Sequence, residues 1–258
     1  MNNGKTVVIT GSARRLGREI ALAVAREGYS LVIHSTNETK ESRNTLSEIK
    51  SLGVEATYIS ANFNDPEKSA EIFSDLFKSD SSIFALINNA AVFEGRGFLQ
   101  SNFKEWQQII NINLSVPYLL SLNFARGLNG RSGRIINMLD WRALRPGKDH
   151  FAYTISKAAL ASMTKAMALA LAPSITVNGL ALGAILPPAD EGESLAEPVK
   201  AKAHQSKEKT LLKSIIDPVP AARWAEIKEV TDTVSFLLSG PAYITGEIIH
   251  IDGGRHLV

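Results

Sequence analysis

The chain contains no cysteine. That absence excludes disulfides, thiolate metal sites and a cysteine nucleophile, and it suits a reducing compartment. Excess charge of one sign is missing too. Lys and Arg number 28 against 26 Asp and Glu, and no lysine/arginine cluster forms a nucleic-acid footprint. No apolar run approaches the ~20 residues that cross a bilayer. The opening "MNNGKTVVIT" lacks the basic segment, apolar stretch and cleavage site of a signal peptide. The five histidines, at 34, 150, 204, 250 and 256, show no metal-ligand spacing, so no metal site is expected. These absences leave a cytoplasmic protein that binds neither nucleic acid nor membrane.

What is present is an ordinary globular composition, 45% hydrophobic, enough for a sizeable core. Short apolar runs at 6–10, 30–34, 56–60, 84–88, 133–138, 175–181 and 247–252 read as seven strands, apolar on both faces as in a buried parallel sheet. Helix-length periodicity occupies 15–27, 39–52, 66–78, 103–129, 151–171 and 228–239 between them. This alternation predicts an α/β fold with a seven-stranded, doubly wound parallel sheet. No linker or repeat divides the chain, so residues 1–258 are read as one domain. The proline-flanked, charged stretch 184–222 is expected to be a substrate loop or lid.

"TVVITGSARRLGREIALAVAREG" is strand, glycine turn and helix. Gly11 and Gly17 let the backbone approach a pyrophosphate lying on the helix N-terminus, with Arg14, Arg15 and Leu16 between them. The second strand ends in His34, Ser35, Thr36 and Asn37 where an NAD site wants an acidic residue. Hydroxyls together with Arg14 suit a 2′-phosphate, which points to NADP(H). Read singly, each is equally an ordinary polar loop residue.

Tyr153 and Lys157 are four residues apart, hence on one face of a helix, and follow the fifth strand, beyond whose carboxyl end ligands bind. An ammonium beside a phenol lowers the phenol's pKa from its usual ~10 and equips it for proton transfer. Asp140, at the end of that strand, adds a carboxylic acid.

"TGSARRLG", "INNAA" (87–91), "NINL" (111–114), Tyr153-x-x-x-Lys157, "VNGLALG" (177–183) and "YITGEIIHIDGG" (243–254) together resemble the short-chain dehydrogenase/reductases, in order and across the whole chain. The resemblance implies a single-domain Rossmann fold, hydride transfer with a nicotinamide cofactor, and a homotetramer. By position it makes Tyr153 the proton donor and Lys157 its pKa-lowering, ribose-binding partner. Asn113 becomes part of a proton relay, and Asn89, Ala90 and Gly183 line the cofactor. Asn62 stands where the family has an adenine-binding aspartate, Leu182 where it has a proline, and Asp140 where it has the catalytic serine.

An ionised aspartate would repel a developing oxyanion, whereas an acid beside a C=N bond can help to protonate nitrogen. With Asp140, Tyr153 and Lys157 at this spacing, the chain is similar to the pteridine reductase and dihydromonapterin reductase branch. There Arg15 would touch both pyrophosphate and pterin, and Phe93 would sandwich the pterin against the nicotinamide. Ala91 departs from that branch, which has a pterin-contacting serine. The leading expectation is therefore an NADPH-dependent pterin or dihydropterin reductase. A ketone or 3-oxoacyl reductase is the alternative, and an NADP(H)-binding regulator without turnover is a third reading.

Overall fold

The apolar runs form strands β1 (Thr6–Ile9), β2 (Ser30–Ser35), β3 (Ala56–Ser60), β4 (Ile83–Asn88), β5 (Gly133–Asp140), β6 (Ile175–Leu182) and β7 (Ile248–Ile251) in a computed structural model. It describes residues 4–186 and 212–258. All pairings are parallel, in the order β3-β2-β1-β4-β5-β6-β7. The order reverses between β1 and β4, the place where such sheets open a crevice for a ligand. Of the stretch expected as a substrate loop, residues 187–211 lie outside the described residues.

Among the described residues the sheet is flanked by helices α1 (Arg15–Arg26), α2 (Lys40–Ser51), α3 (Pro66–Ser79), α4 (Phe103–Ile110), α5 (Val116–Leu128), α6 (Phe151–Leu171) and α7 (Ile227–Ser239). Local chemistry sets their starts. Thr39 and Ser42 form a capping box on α2, and the Asp65 side chain accepts from Lys68 N before Pro66 opens α3. Alternation along the strands supplies two cores. Val7 and Ile9 pack towards Ile20 and Val24 of α1 and Val230 and Val234 of α7. Val8 and Leu86 face Phe73, Phe77, Leu120 and Phe124 from α3 and α5. The Phe77 and Phe124 rings meet edge to face at 5.6 Å.

One expected helix is two. The 103–129 segment is interrupted by a π-helical turn, Asn111–Ser115, just before Pro117. The apolar periodicity runs through the break, but the wider turn places Asn113 in the interior, 0% exposed. Its Oδ1 accepts from Val92 N at 2.9 Å, and its Nδ2 donates to Val92 O and to Ser156 Oγ.

Candidate active site

Beyond β1 the chain turns sharply at Gly11, whose φ of +64° is left-handed. A Cβ on Gly17 would lie 2.2 Å from Gly11 O and 2.6 Å from Asn89 Nδ2, so the start of α1 can approach the strand ends only with glycine there. Thr10 Oγ1 receives both Asn89 N and Ala90 N at 3.0 Å, and Asn89 Nδ2 donates to Thr10 O and Gly11 O. The turn is thus fastened to the end of β4. Arg15 carries a φ of +50°, sparsely populated for a side chain of its size.

A cavity of 510 Å³ opens here. The phosphate turn lines one side through Gly11, Arg14, Arg15, Leu16 and Gly17, and Asn89 and Ala90 line another. Helix α1 begins at Arg14 without a side-chain cap and has no acidic residue in its first turn. Its positive end and amide donors therefore face the cavity with two arginines, a fit for the pyrophosphate of a dinucleotide.

The adenosine side of the cavity is bounded by His34, Ser35, Thr36 and Asn62, and no carboxylate is among its lining residues. His34 differs from its expected role as a cofactor ligand. The side chain is buried, Nδ1 accepts from Gly11 N at 3.1 Å, and Nε2 lies 3.0 Å from Ala61 O. That pairing fixes the tautomer with the proton on Nε2. The ring also stacks on Phe63 at 4.1 Å, and burial pushes its pKa down to about 4. Both nitrogens are occupied, so His34 braces the phosphate turn as a neutral strut. Ser35 Oγ donates to Asn37 O, and Asn62 Oδ1 accepts from Asn64 N and Nδ2. Thr36 is exposed.

One strand beyond β4, the carboxyl end of β5 delivers Asp140, and α6 delivers Tyr153 and Lys157. Tyr153 Oη donates to Asp140 Oδ2 at 3.2 Å, while Asp140 Oδ1 accepts from Arg142 N at 2.8 Å. The aspartate therefore caps the following turn and touches the phenol at once. Lys157 Nζ donates to Met138 O at 2.7 Å and lies 5.8 Å from the centre of the Tyr153 ring. Burial raises the Asp140 pKa, against the Arg142 amide and the charges of Arg142 and Lys157. Burial also lowers Lys157 to about 8, which Asp140 opposes. The expected depression of the Tyr153 pKa by Lys157 is reversed: burial, then the Asp140 charge and hydrogen bond, hold it well above its ordinary value. The nearest charge to the phenol is the carboxylate, so Tyr153 stays a protonated donor.

With this geometry in view, the relatives agree with one another. The family profile described as enoyl-(acyl carrier protein) reductase matches residues 11–256. The chain is a short-chain dehydrogenase/reductase. The 3-oxoacyl-[acyl-carrier-protein] reductase FabG of Staphylococcus aureus is 29% identical over 260 residues, 100% of each chain. Among solved structures, FolM alternative dihydrofolate reductase 1 from Brucella canis, complexed with NADP, superposes with a TM-score of 0.80 at 26% identity, covering 98% of this chain and 95% of that one. Acetoin dehydrogenase from Enterobacter cloacae gives a TM-score of 0.83 at 26% identity, covering 98% and 96%.

In this short-chain dehydrogenase/reductase three sequence candidates remain. Phe93 is 59% exposed, stacks on His150 at 4.3 Å and stands edge-on to Tyr153 at 4.7 Å. It therefore borders the Tyr153 phenol. Asn113 reaches Tyr153 only indirectly, through Ser156, whose Oγ donates to Tyr153 O at 2.7 Å. Gly183 sits at the end of β6 against Asp252, where a Cβ would come within 2.6 Å of the Asp252 Cα, and it is not among the residues lining the 510 Å³ cavity. Sequence reasoning gave no role to His150 or Ser156. His150, in left-handed conformation before α6, has only its place three residues ahead of Tyr153 as a sequence signal.

Proposed function

We propose that this NADP-dependent short-chain oxidoreductase reduces the C=N bond of a pterin or dihydropterin. The observation that carries the reading is the Tyr153–Asp140 hydrogen bond at 3.2 Å between a buried phenol and a half-buried carboxyl. Bound NADPH supplies the hydride. Tyr153, kept protonated by burial and by Asp140, donates its Oη proton to the substrate nitrogen, and Asp140 hands a proton on when its own carboxyl is protonated. A raised Asp140 pKa increases the share of molecules able to do so. Lys157 balances the phenolate left after transfer and would hold the nicotinamide ribose; Asn113 keeps α6 in register with the loop after β4. Phe93 offers one face for a flat heterocycle.

The cofactor sites assigned from sequence belong to the same proposal. Gly11, Arg14, Arg15, Leu16 and Gly17 take the pyrophosphate, Ser35 and Thr36 the 2′-phosphate side, Asn62 the adenine, and Asn89, Ala90 and Gly183 the remainder. Arg15 would also reach the pterin.

The FabG relative favours a second reading, reduction of a 3-oxoacyl carbonyl. There an ionised Asp140 would oppose the oxyanion, so an unaltered aspartate is hard to explain. A binding protein without turnover has no need of Asn113, Tyr153 and Lys157 in this geometry. An apolar groove along α5 and α6, lined by Leu114, Tyr118, Leu119, Met163 and Ala166, supports self-association through that face, with a homotetramer as its product. We place the protein in the cytoplasm; no described helix is long and apolar enough to cross a membrane.

The test is NADPH oxidation with dihydrobiopterin, dihydromonapterin, dihydrofolate and a ketone panel, with NADH in parallel. Turnover of a dihydropterin, abolished in Tyr153→Phe and in Asp140→Ala, is expected. Turnover of ketones alone, or full activity of Asp140→Ala, overturns the reading.

A further inference from the structure

Asp140 is followed by Trp141, and two guanidinium groups lie over its indole ring, Arg142 at 4.8 Å and Arg255 at 4.9 Å from the centroid. Arg145 Nη1 donates to Arg255 O at 3.3 Å, tying the C-terminal turn Arg255–Leu257 to the loop between β5 and α6. Three arginines from two distant parts of the chain thus meet beside the proton-donating pair. Arg142 Nη1 is 3.9 Å from Asp140 Oδ1, so the cluster begins two residues beyond Asp140.

Few carboxylates oppose it. Asp149 lies 3.7 Å from Arg142 Nη2 but also faces His150 Nδ1 at 3.0 Å. Asp252 is buried, and its oxygens accept from Gly254 N, His256 N and His256 Nδ1. Among the described residues, Arg145 and Arg255 form no salt bridge to a carboxylate. Like charges gathered with carboxylates facing only one of them, Arg142, are unfavourable: burial and the charges of Arg145 and Arg142 hold the Arg255 guanidinium below its ordinary pKa. An anion placed there would relieve that repulsion, and guanidinium forks match carboxylate and phosphate oxygens in pairs.

We propose that Arg142, Arg145 and Arg255 form a subsite for an anionic group, carboxylate or phosphate, carried on the side chain of the substrate. This rests on the pterin reading above: a ring held near Phe93 and Tyr153 would extend its side chain across Trp141 to the arginines. The substrate is then an acidic pterin, in contrast to one with a neutral hydroxyalkyl chain.

The test compares kcat/KM for dihydrofolate, which bears carboxylates, dihydroneopterin phosphate and neutral dihydrobiopterin. The wild type should prefer one of the acids, and which one identifies the group. Arg145→Ala and Arg255→Ala should each lower the acid-to-neutral ratio about fivefold, through KM, as loss of a partly exposed ion pair of ~1 kcal/mol implies. Arg145→Lys should restore part of it, and added salt should lower the ratio in the wild type. An unchanged ratio, or equal loss on all three substrates, overturns the proposal. If no pterin is turned over, the function reading fails, and the subsite is judged by calorimetric titration with p-aminobenzoylglutamate and inorganic phosphate. Binding that disappears in the Arg145→Ala/Arg255→Ala double variant upholds the anion site; no binding overturns it. Turnover of a 3-oxoacyl carrier protein that needs these arginines, without binding of either small anion, also overturns it.

Discussion

The two ends of the candidate site are built by opposite means. At the tips of β1 to β3 the site is made of backbone amides, hydroxyls, two arginines and a helix N-terminus, and the buried ring of His34 stays neutral because burial pushes its pKa to about 4. At the end of β5 the half-buried Asp140 acts on two buried titratable groups, Tyr153 and Lys157, and burial shifts all three. The first end is indifferent to pH over the physiological range, as a binding site can be. The second is poised by its electrostatics, as proton transfer demands.

The largest effect should come from removing that poise. Asp140→Asn keeps the size and a hydrogen-bonding oxygen but cannot release a proton, and about a hundredfold loss of dihydropterin reduction is expected. In the wild type the rate should fall as pH rises through the raised Asp140 pKa, and the variant should lose that limb. Loss of the Lys157 ammonium should add a second decline above about 8. Stability follows the same carboxyl. Its folded pKa is raised, so its contribution is fully present below the unfolded value and is lost as pH rises through the folded one. Asp140→Asn should therefore gain melting temperature relative to wild type on going from acid to neutral pH. A difference that is flat with pH would show that burial does not perturb this acid.

How far these ends could be read beforehand differs. The seven strands were legible because burial on both faces writes continuous apolar runs, and Tyr153 and Lys157 because a four-residue spacing fixes a shared helix face. The π turn at Asn111–Ser115 was not, since apolar periodicity continues across it and only the inward Asn113 reports the extra residue. Nor was the part His34 plays, because its partners Gly11 N and Ala61 O are backbone atoms from other segments, invisible to residue type. The sign of the Tyr153 shift failed for a related reason: spacing identified the cation, while burial first, and the Asp140 carboxylate second, set the direction.

At the phosphate end the expected effect is intermediate. The cavity wall carries no carboxylate, and Thr36 is exposed on it. Thr36→Asp would set a negative charge against the 2′-phosphate and offer a partner to ribose hydroxyls instead. The ratio of kcat/KM for NADPH over NADH should fall about tenfold, ~1.4 kcal/mol. Because this end is uncoupled from the acids of β5 and α6, the pH profile with saturating cofactor should keep its shape. A change of shape would mean that the two ends communicate.

The smallest effect belongs to Phe93, which stands between the ends in character: an exposed ring, uncharged, yet packed on His150 and edge-on to the Tyr153 phenol. If it only shields Tyr153 from water, Phe93→Ala should lower turnover of every substrate alike. If it stacks on the substrate, the loss should appear in KM and only for flat heterocycles, by about three- to tenfold, as an aromatic pair worth ~0.5–1.5 kcal/mol implies. Phe93→Tyr should then retain the pterin KM, since the ring face is kept, while a small ketone should not distinguish the three proteins. The stacking role is expected, because more than half of the ring is presented to solvent beside the site, and shielding alone would have buried it.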